Sequence, residues 1–356
     1  MTTDQSPPRS RAMRYQTFGR LTGLRVSEFA LGTAIFGNGP GARTGPEEAR
    51  AIFEAFAEAG GTFIDTADAY QSGDAEELVG EFLDGRRDDF VVATKYTRNA
   101  THGSGANATG NSHRNAVRSL ESSLKRLRTD HVDLYWVHLP DGVTPMEEIL
   151  GAFDDLKRAG KILHGGLSNF PAWRVAAAAA TTALRGGGPL VGVQEAYSLS
   201  DRGADRDLLP AAEAFGLGTC LYSPLGGGLL TGKYRRGADG RLAAWGAGVQ
   251  VEDTEHRTAV LDTVLAVAEE IGTTPAQVAV AWLAGRAARS TTALVPVVGP
   301  RTLGQLREYL AALDLELSAE QYDRLDRVSA VGHGNLQELA FGGDAQRFHR
   351  HPVPVV

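Results

Sequence analysis

Cysteine is nearly absent from this 356-residue chain; Cys220 stands alone. A single thiol excludes an intramolecular disulfide and a metal centre built on several cysteines. Its setting, GTCLY (218–222), is apolar, which reads as a small core residue rather than a reactive one. Long hydrophobic runs are missing as well. The opening residues, MTTDQSPPRSRAM, lack the apolar segment of a secretory signal. VAAAAATTAL (175–184) is too short and too weak for a membrane span. Positive charge is not in excess, since 36 Lys and Arg against 43 Asp and Glu leave a formal charge of −7. That balance argues against nucleic acid or an anionic membrane as the main partner. The expectation is a cytoplasmic protein, 42% hydrophobic and 22% charged, with enough chain for one large α/β domain or two smaller ones.

What is present is alternation. Short apolar runs at 27–33, 61–66, 90–95, 132–138, 162–168, 190–196, 218–223 and 293–298 read as strands buried on both faces, the habit of parallel sheets. Amphipathic helices separate them. Residues 111–128 start at Asn111 and carry Val117, Leu120, Leu124 and Leu127 on one stripe. Thr44 with Glu47, Thr144 with Glu147, Thr274 with Gln277 and Ser318 with Gln321 have capping-box spacing. Eight such units over this length predict a (β/α)8 TIM barrel, with a doubly wound sheet as the alternative. Residues 14–26 are expected to form a β-hairpin plugging the barrel bottom. Residues 1–12 are expected to be a disordered tail, 13–327 the barrel, and 328–356 a loose C-terminal tail of the same domain. Long glycine-rich loops at 96–110 and 224–256 follow strands three and seven, on the face where such barrels hold their sites; Trp245 in the second is a candidate lid.

Polar residues recur at the predicted strand ends. The stretch GTFIDTADAY (61–70) ends a strand on Asp65 and puts Tyr70 just beyond. The next strands end at Lys95, His138, and Ser168 with Asn169; then come Gln194, Tyr222 and Ser223. A phenol has a pKa near 10, and a neighbouring ammonium such as Lys95 lowers it; Asp65 supplies the counter-ion, and His138 can donate to a carbonyl oxygen or relay a proton. Singly, each has an ordinary structural reading as a turn aspartate, a packed aromatic or a core histidine. Jointly, at successive strand ends, they form apparatus for protonating an alkoxide as hydride reaches its carbon.

With these residues in place the sequence resembles the aldo-keto reductases over residues 13–327. The resemblance rests on LGTAIFG (31–37), FIDTADAY (63–70), ATKY (93–96), RTDHVDLYWVHLPD (128–141), GGLSNF (165–170), VQEAYSL (193–199), YSPLGGGLLTGKY (222–234) and VGPRTLGQLREYL (298–310). It implies a catalytic tetrad of Asp65, Tyr70, Lys95 and His138, with Tyr70 as general acid. It implies NADPH/NADP+ across the barrel mouth, with Gly32 and Thr33 at the cofactor and Ser168, Asn169 and Gln194 on the carboxamide. Tyr222 would stack on the nicotinamide, and Ser223, Leu225 and Gly227 would meet the pyrophosphate. Gly299 would also lie at the cofactor, with Arg301 and Gln305 near the 2′-phosphate and Glu308 near the adenine; Arg301 favours NADPH over NADH. Tyr309 departs from the asparagine of many relatives, and Ala34 replaces a bulkier residue. Ile35, Phe36, Tyr96 and Trp136 are the expected substrate pocket, for a small-molecule aldehyde or ketone.

Two other motifs carry little. GSGANA (103–108) fits a loose dinucleotide pattern too far from its strand, and GGLLTGKY (227–234) lacks the Ser or Thr of a phosphate-binding loop. HRH (349–351) has no ligand partners at metal-site spacing, so no metal is expected. A nicotinamide-binding regulatory subunit resembling potassium-channel β subunits is the alternative function. A barrel hydrolase built on Asp65 leaves Ser168, Asn169, Gln194 and Tyr222 without a purpose.

Overall fold

The computed structural model describes residues 11–38, 44–98, 105, 107–237 and 250–332; the expected lid Trp245, most of both tails and the tail histidines lie outside them. A hairpin, β1 (Tyr15–Thr17) with antiparallel β2 (Arg25–Ser27), precedes the barrel. Eight strands then close a parallel ring: β3 (Ala30–Gly32), β4 (Phe63–Asp65), β5 (Val91–Tyr96), β6 (Val132–Val137), β7 (Ile162–Ser168), β8 (Leu190–Ala196), β9 (Gly218–Tyr222) and β10 (Leu294–Val298). Helices α1 (Pro46–Glu58) to α6 (Leu208–Phe215) follow β3, β4, β5, β6, β7 and β8 in turn; the four between them are α2 (Asp74–Phe82), α3 (His113–Leu127), α4 (Met146–Arg158) and α5 (Ala172–Arg185). Both α7 (Glu255–Ile271) and α8 (Pro275–Ala287) follow β9, and α9 (Leu303–Ala311) with α10 (Ala319–Ser329) follow β10. The (β/α)8 expectation holds. No helix among the described residues is long and apolar enough to cross a membrane.

Strand period explains the two cores. In β6, Leu134 and Trp136 point into the ring, whereas Tyr135 and Val137 face the helices. In β5, Val91 and Ala93 point inward and Val92 and Tyr96 outward. These strands are therefore apolar on both sides, which is why the runs read as continuous in the sequence.

The lower barrel is filled by an unusual exchange of volume. Trp136, Gly166, Gly192 and Gly218 stand in one register row across four neighbouring strands. Three missing side chains leave room for two large rings: Trp136 itself, and Phe18 from the hairpin, 6.3 Å apart edge to face. Phe18 also meets Phe63 at 5.8 Å, and both Phe18 and Trp136 are fully buried. A Cβ on Gly166 would lie 2.3 Å from the Trp136 ring, and one on Gly218 2.8 Å from Phe18. The hairpin thus plugs the barrel as expected.

Local details depart from the sequence reading. The Thr274–Gln277 and Ser318–Gln321 capping boxes form. Thr44 instead donates to the Arg301 carbonyl, Thr144 donates to Asp141, and their helices begin behind Gly45 and Pro145. Ser112, not Asn111, caps α3. Arg11, within the stretch expected as a tail, is bonded: its guanidinium donates to Glu28 at 2.6 Å and to the Leu313 carbonyl at 3.0 Å.

Gly218→Ala is expected to lower stability by about 1–3 kcal/mol through overpacking against Phe18. Chemical denaturation should show a smaller loss for the same change in a Phe18→Leu background, because the two side chains compete for one space; equal losses in both backgrounds would contradict that shared packing.

Candidate active site

The upper end of the ring inherits its polar residues from the same alternation. Lys95 continues the inward series after Val91 and Ala93, Asp65 follows Phe63, and His138 lies one layer above Trp136. Lys95 is completely buried and all three ammonium protons are placed: on Asp65 Oδ2 at 2.6 Å, the Thr66 carbonyl at 2.8 Å and the Tyr70 hydroxyl at 3.1 Å. The ammonium also lies 4.7 Å from the Tyr70 ring centroid. Asp65 Oδ1 accepts from the Gln194 amide at 2.9 Å, so both carboxylate oxygens have partners. Burial works against the charged lysine, but Asp65 and Tyr70 outweigh it and hold its pKa above the ordinary value.

Tyr70 differs from the simple expectation that Lys95 lowers its pKa. Burial raises the phenol above 10; Lys95 opposes that without overcoming it, and Asp65 adds to the rise. The hydroxyl therefore keeps its proton at neutral pH while resting against a cation. His138 packs edge to face on Tyr70 at 5.8 Å. Burial first, then Lys95 and Arg98, push its pKa down to about 3, which makes it a neutral imidazole. Its Nδ1 is buried with no partner among the described residues.

Asn169 ties the upper ends of β6, β7 and β9 together. Its amide donates to the His138 carbonyl at 2.9 Å and to Ser168 Oγ at 3.0 Å, and its Oδ1 accepts from the Tyr222 hydroxyl at 2.8 Å. Asn169 and Ser223 both hold positive φ, 61° and 57°, so each chain reverses direction immediately above its strand.

Asp65, Tyr70 and His138 border a cavity of about 650 Å³, and Lys95 lies buried behind them. Of the residues expected at the cofactor, Gly32, Ser168, Asn169, Gln194, Tyr222, Ser223, Leu225, Gly227, Gly299, Arg301, Gln305 and Glu308 line it. Thr33 does not; it is buried and donates to the Asp65 carbonyl at 3.2 Å. Of the expected substrate pocket only Ile35 lines the cavity. Phe36 and Tyr96 are buried in the outer core, and Trp136 fills the barrel interior below. Alternation decides this: once Lys95 points inward, Tyr96 must point outward, where it stacks on Tyr135 at 5.0 Å. Arg98, Lys233 and Arg236 also border the cavity and are not legible as site residues, because they lie in loops where period gives no direction. Glycine richness marks the loop of the latter two. Tyr309 lines the cavity near Glu308.

A profile of the Aldo/keto reductase family matches residues 28–330. The chain is 38% identical to the uncharacterized oxidoreductase YrpG of Bacillus subtilis, over 86% of this chain and 93% of that one. It is 34% identical to a norsolorinic acid reductase of Aspergillus flavus, over 92% and 84% respectively. It is equally 34% identical to a probable voltage-gated potassium channel β subunit of Oryza sativa, over 89% and 96%. A closed barrel, a polar cleft at its strand ends and a profile match over most of the length agree: the chain belongs to the Aldo/keto reductase family of oxidoreductases.

Proposed function

We propose that the protein is an NADPH-dependent carbonyl reductase in which Tyr70 is the general acid and Lys95, Asp65 and His138 support it. The observation that carries this reading is the 3.1 Å contact between the Tyr70 hydroxyl and a fully buried, fully bonded Lys95 ammonium. The donor set suits a nicotinamide dinucleotide. The hydroxyl of Ser168 and the amides of Asn169 and Gln194 match a carboxamide, and the Tyr222 ring offers a flat wall. Consecutive glycines with positive φ, Gly226 to Gly228, bring backbone close to the cavity, where Lys233 and Arg236 also stand. Arg301 and Gln305 stand at the start of α9, with charge and geometry for an adenosine 2′-phosphate.

When bound, a reduced nicotinamide supplies hydride to the carbonyl carbon. Tyr70 gives its proton to the carbonyl oxygen, and Lys95 stabilises the phenolate left behind. Asp65 keeps Lys95 charged and fixed on the hydroxyl. The neutral imidazole of His138 orients the carbonyl oxygen by hydrogen bonding, without adding charge. The rice relative's name raises a regulatory role as the competing reading; turnover separates the two.

NADPH oxidation with 4-nitrobenzaldehyde should be readily measurable for the native protein and fall about 10²–10⁴-fold in Tyr70→Phe. NADPH fluorescence should show that both still bind the cofactor. Binding without turnover in the native protein favours the regulatory reading, and no binding removes both. The pH profile provides an independent check. A histidine with pKa about 3 stays neutral, and a phenol raised above 10 stays protonated, across the neutral range. Reduction at saturating NADPH should therefore be level between about pH 6 and 9 and decline only as the phenol ionises; a limb near 6.5 would show that His138 titrates during turnover.

A further inference from the structure

We propose that Arg98 recognises a carboxylate on the substrate, so that the preferred compound is an aldehyde or ketone bearing an acid group; this rests on the reductase reading. Two residues beyond Lys95, Thr97 takes a φ of 109°, a costly conformation for a β-branched side chain. It is held there from two sides. The Thr97 hydroxyl donates to Asn111 Oδ1 at 2.6 Å, and the Thr97 carbonyl accepts from the Gly110 amide at 2.9 Å. Asn111 is in turn fixed to the Leu139 carbonyl at 2.9 Å and to Asp141 at 2.8 Å. This clamp between the β5 and β6 loops sets the direction of the next residue. Arg98 consequently borders the cavity together with Tyr70, His138 and Leu139.

Charge accounting then separates Arg98 from the other cations. Lys233 and Arg236 follow β9, which lies across the ring from β5, and Arg301 precedes α9. Those groups suit the cofactor phosphates. Among the described residues, the acids of the cavity are Asp65, committed to Lys95, and Glu308, which stands on α9 with Gln305. Arg98 is exposed and makes no hydrogen bond or ion pair among the described residues. Beside the reacting carbonyl these residues thus leave one uncompensated guanidinium, facing a neutral imidazole and a protonated phenol. A planar fork with several donors matches a carboxylate in charge and shape. A neutral substrate gains nothing from it, and a cationic one is repelled.

The test compares 4-carboxybenzaldehyde with its methyl ester, the same aldehyde without the charge. The native protein should prefer the acid by about tenfold in kcat/KM, the scale of a hydrogen-bonded charge in a partly open site. That ratio should shrink with added salt. In Arg98→Gln it should collapse towards one through the KM of the acid, with NADPH affinity unchanged by fluorescence. Calorimetric titration of 4-(hydroxymethyl)benzoate into the protein with NADP+ should likewise weaken about tenfold in the variant. Absence of a preference, a preference that survives Arg98→Gln, or weakened NADPH binding in the variant each overturns the assignment; the last would make Arg98 a cofactor residue. Failure to reduce either compound, with NADPH bound, counts against the reductase reading instead, and the titration then decides the role of Arg98 alone.

Discussion

The buried ion pair between Lys95 and Asp65 is the constraint on which the upper barrel depends. Moving an ammonium and a carboxylate out of water costs several kcal/mol for each ion, and their attraction offsets this only when every remaining donor and acceptor has a partner. Here they do. The third lysine proton meets the Tyr70 hydroxyl, and the second carboxylate oxygen meets Gln194. Three strands and a turn are tied together by one charge requirement, since Asp65, Lys95 and Gln194 sit on β4, β5 and β8 and Tyr70 on the turn that follows β4. The phenol is positioned as a by-product of satisfying the lysine.

Backbone strain is distributed in the same place. Six described residues other than glycine hold positive φ, and five of them, Gln71, Ser72, Thr97, Asn169 and Ser223, lie within two residues of Tyr70, Lys95, Ser168 or Tyr222. The sixth, Arg128, simply ends α3. Such conformations cost of order 1–3 kcal/mol each and persist only where neighbours enforce them. The rigid ring beneath, with its two cores, provides that enforcement. Each strained step turns a loop sharply at the rim, so side chains one or two positions apart face the cavity from the rim instead of running on along the strand line.

Most of the ring is legible in the sequence because strand period and burial on both faces act locally. Asp65, Lys95 and His138 are legible for a related reason: an ionisable group that closes an apolar run must be offset by a partner, and that need singles it out. Tyr70 follows from them as the nearest phenol beyond Asp65. The mismatches have a physical source too. Closeness in sequence puts Tyr96 and Trp136 beside the site, whereas adjacent strand residues face opposite ways and residues two apart occupy different layers. Thr44 and Thr144 have the spacing of caps, yet tertiary acceptors, the Arg301 carbonyl and Asp141, take their hydroxyls. Arg98 has no local signal at all, since its direction comes from a clamp to Asn111, formed only when two loops meet.

The glycine row of the lower barrel also has a consequence for how the chain reaches this structure. Phe18 is made early, but its seat includes Gly192 and Gly218, and β3 pairs with β10 only through residues 297 and 298. At a synthesis rate of about 5–20 residues per second, roughly 10–40 s separate the appearance of residue 18 from that of residue 218. Throughout that interval the ring has an open edge at β3 and an apolar side chain without its socket. Such long-range closure is slow and exposes sticky surface, so Phe18 cannot be seated before β9 is made, and the ring cannot close at β3 until β10 follows it.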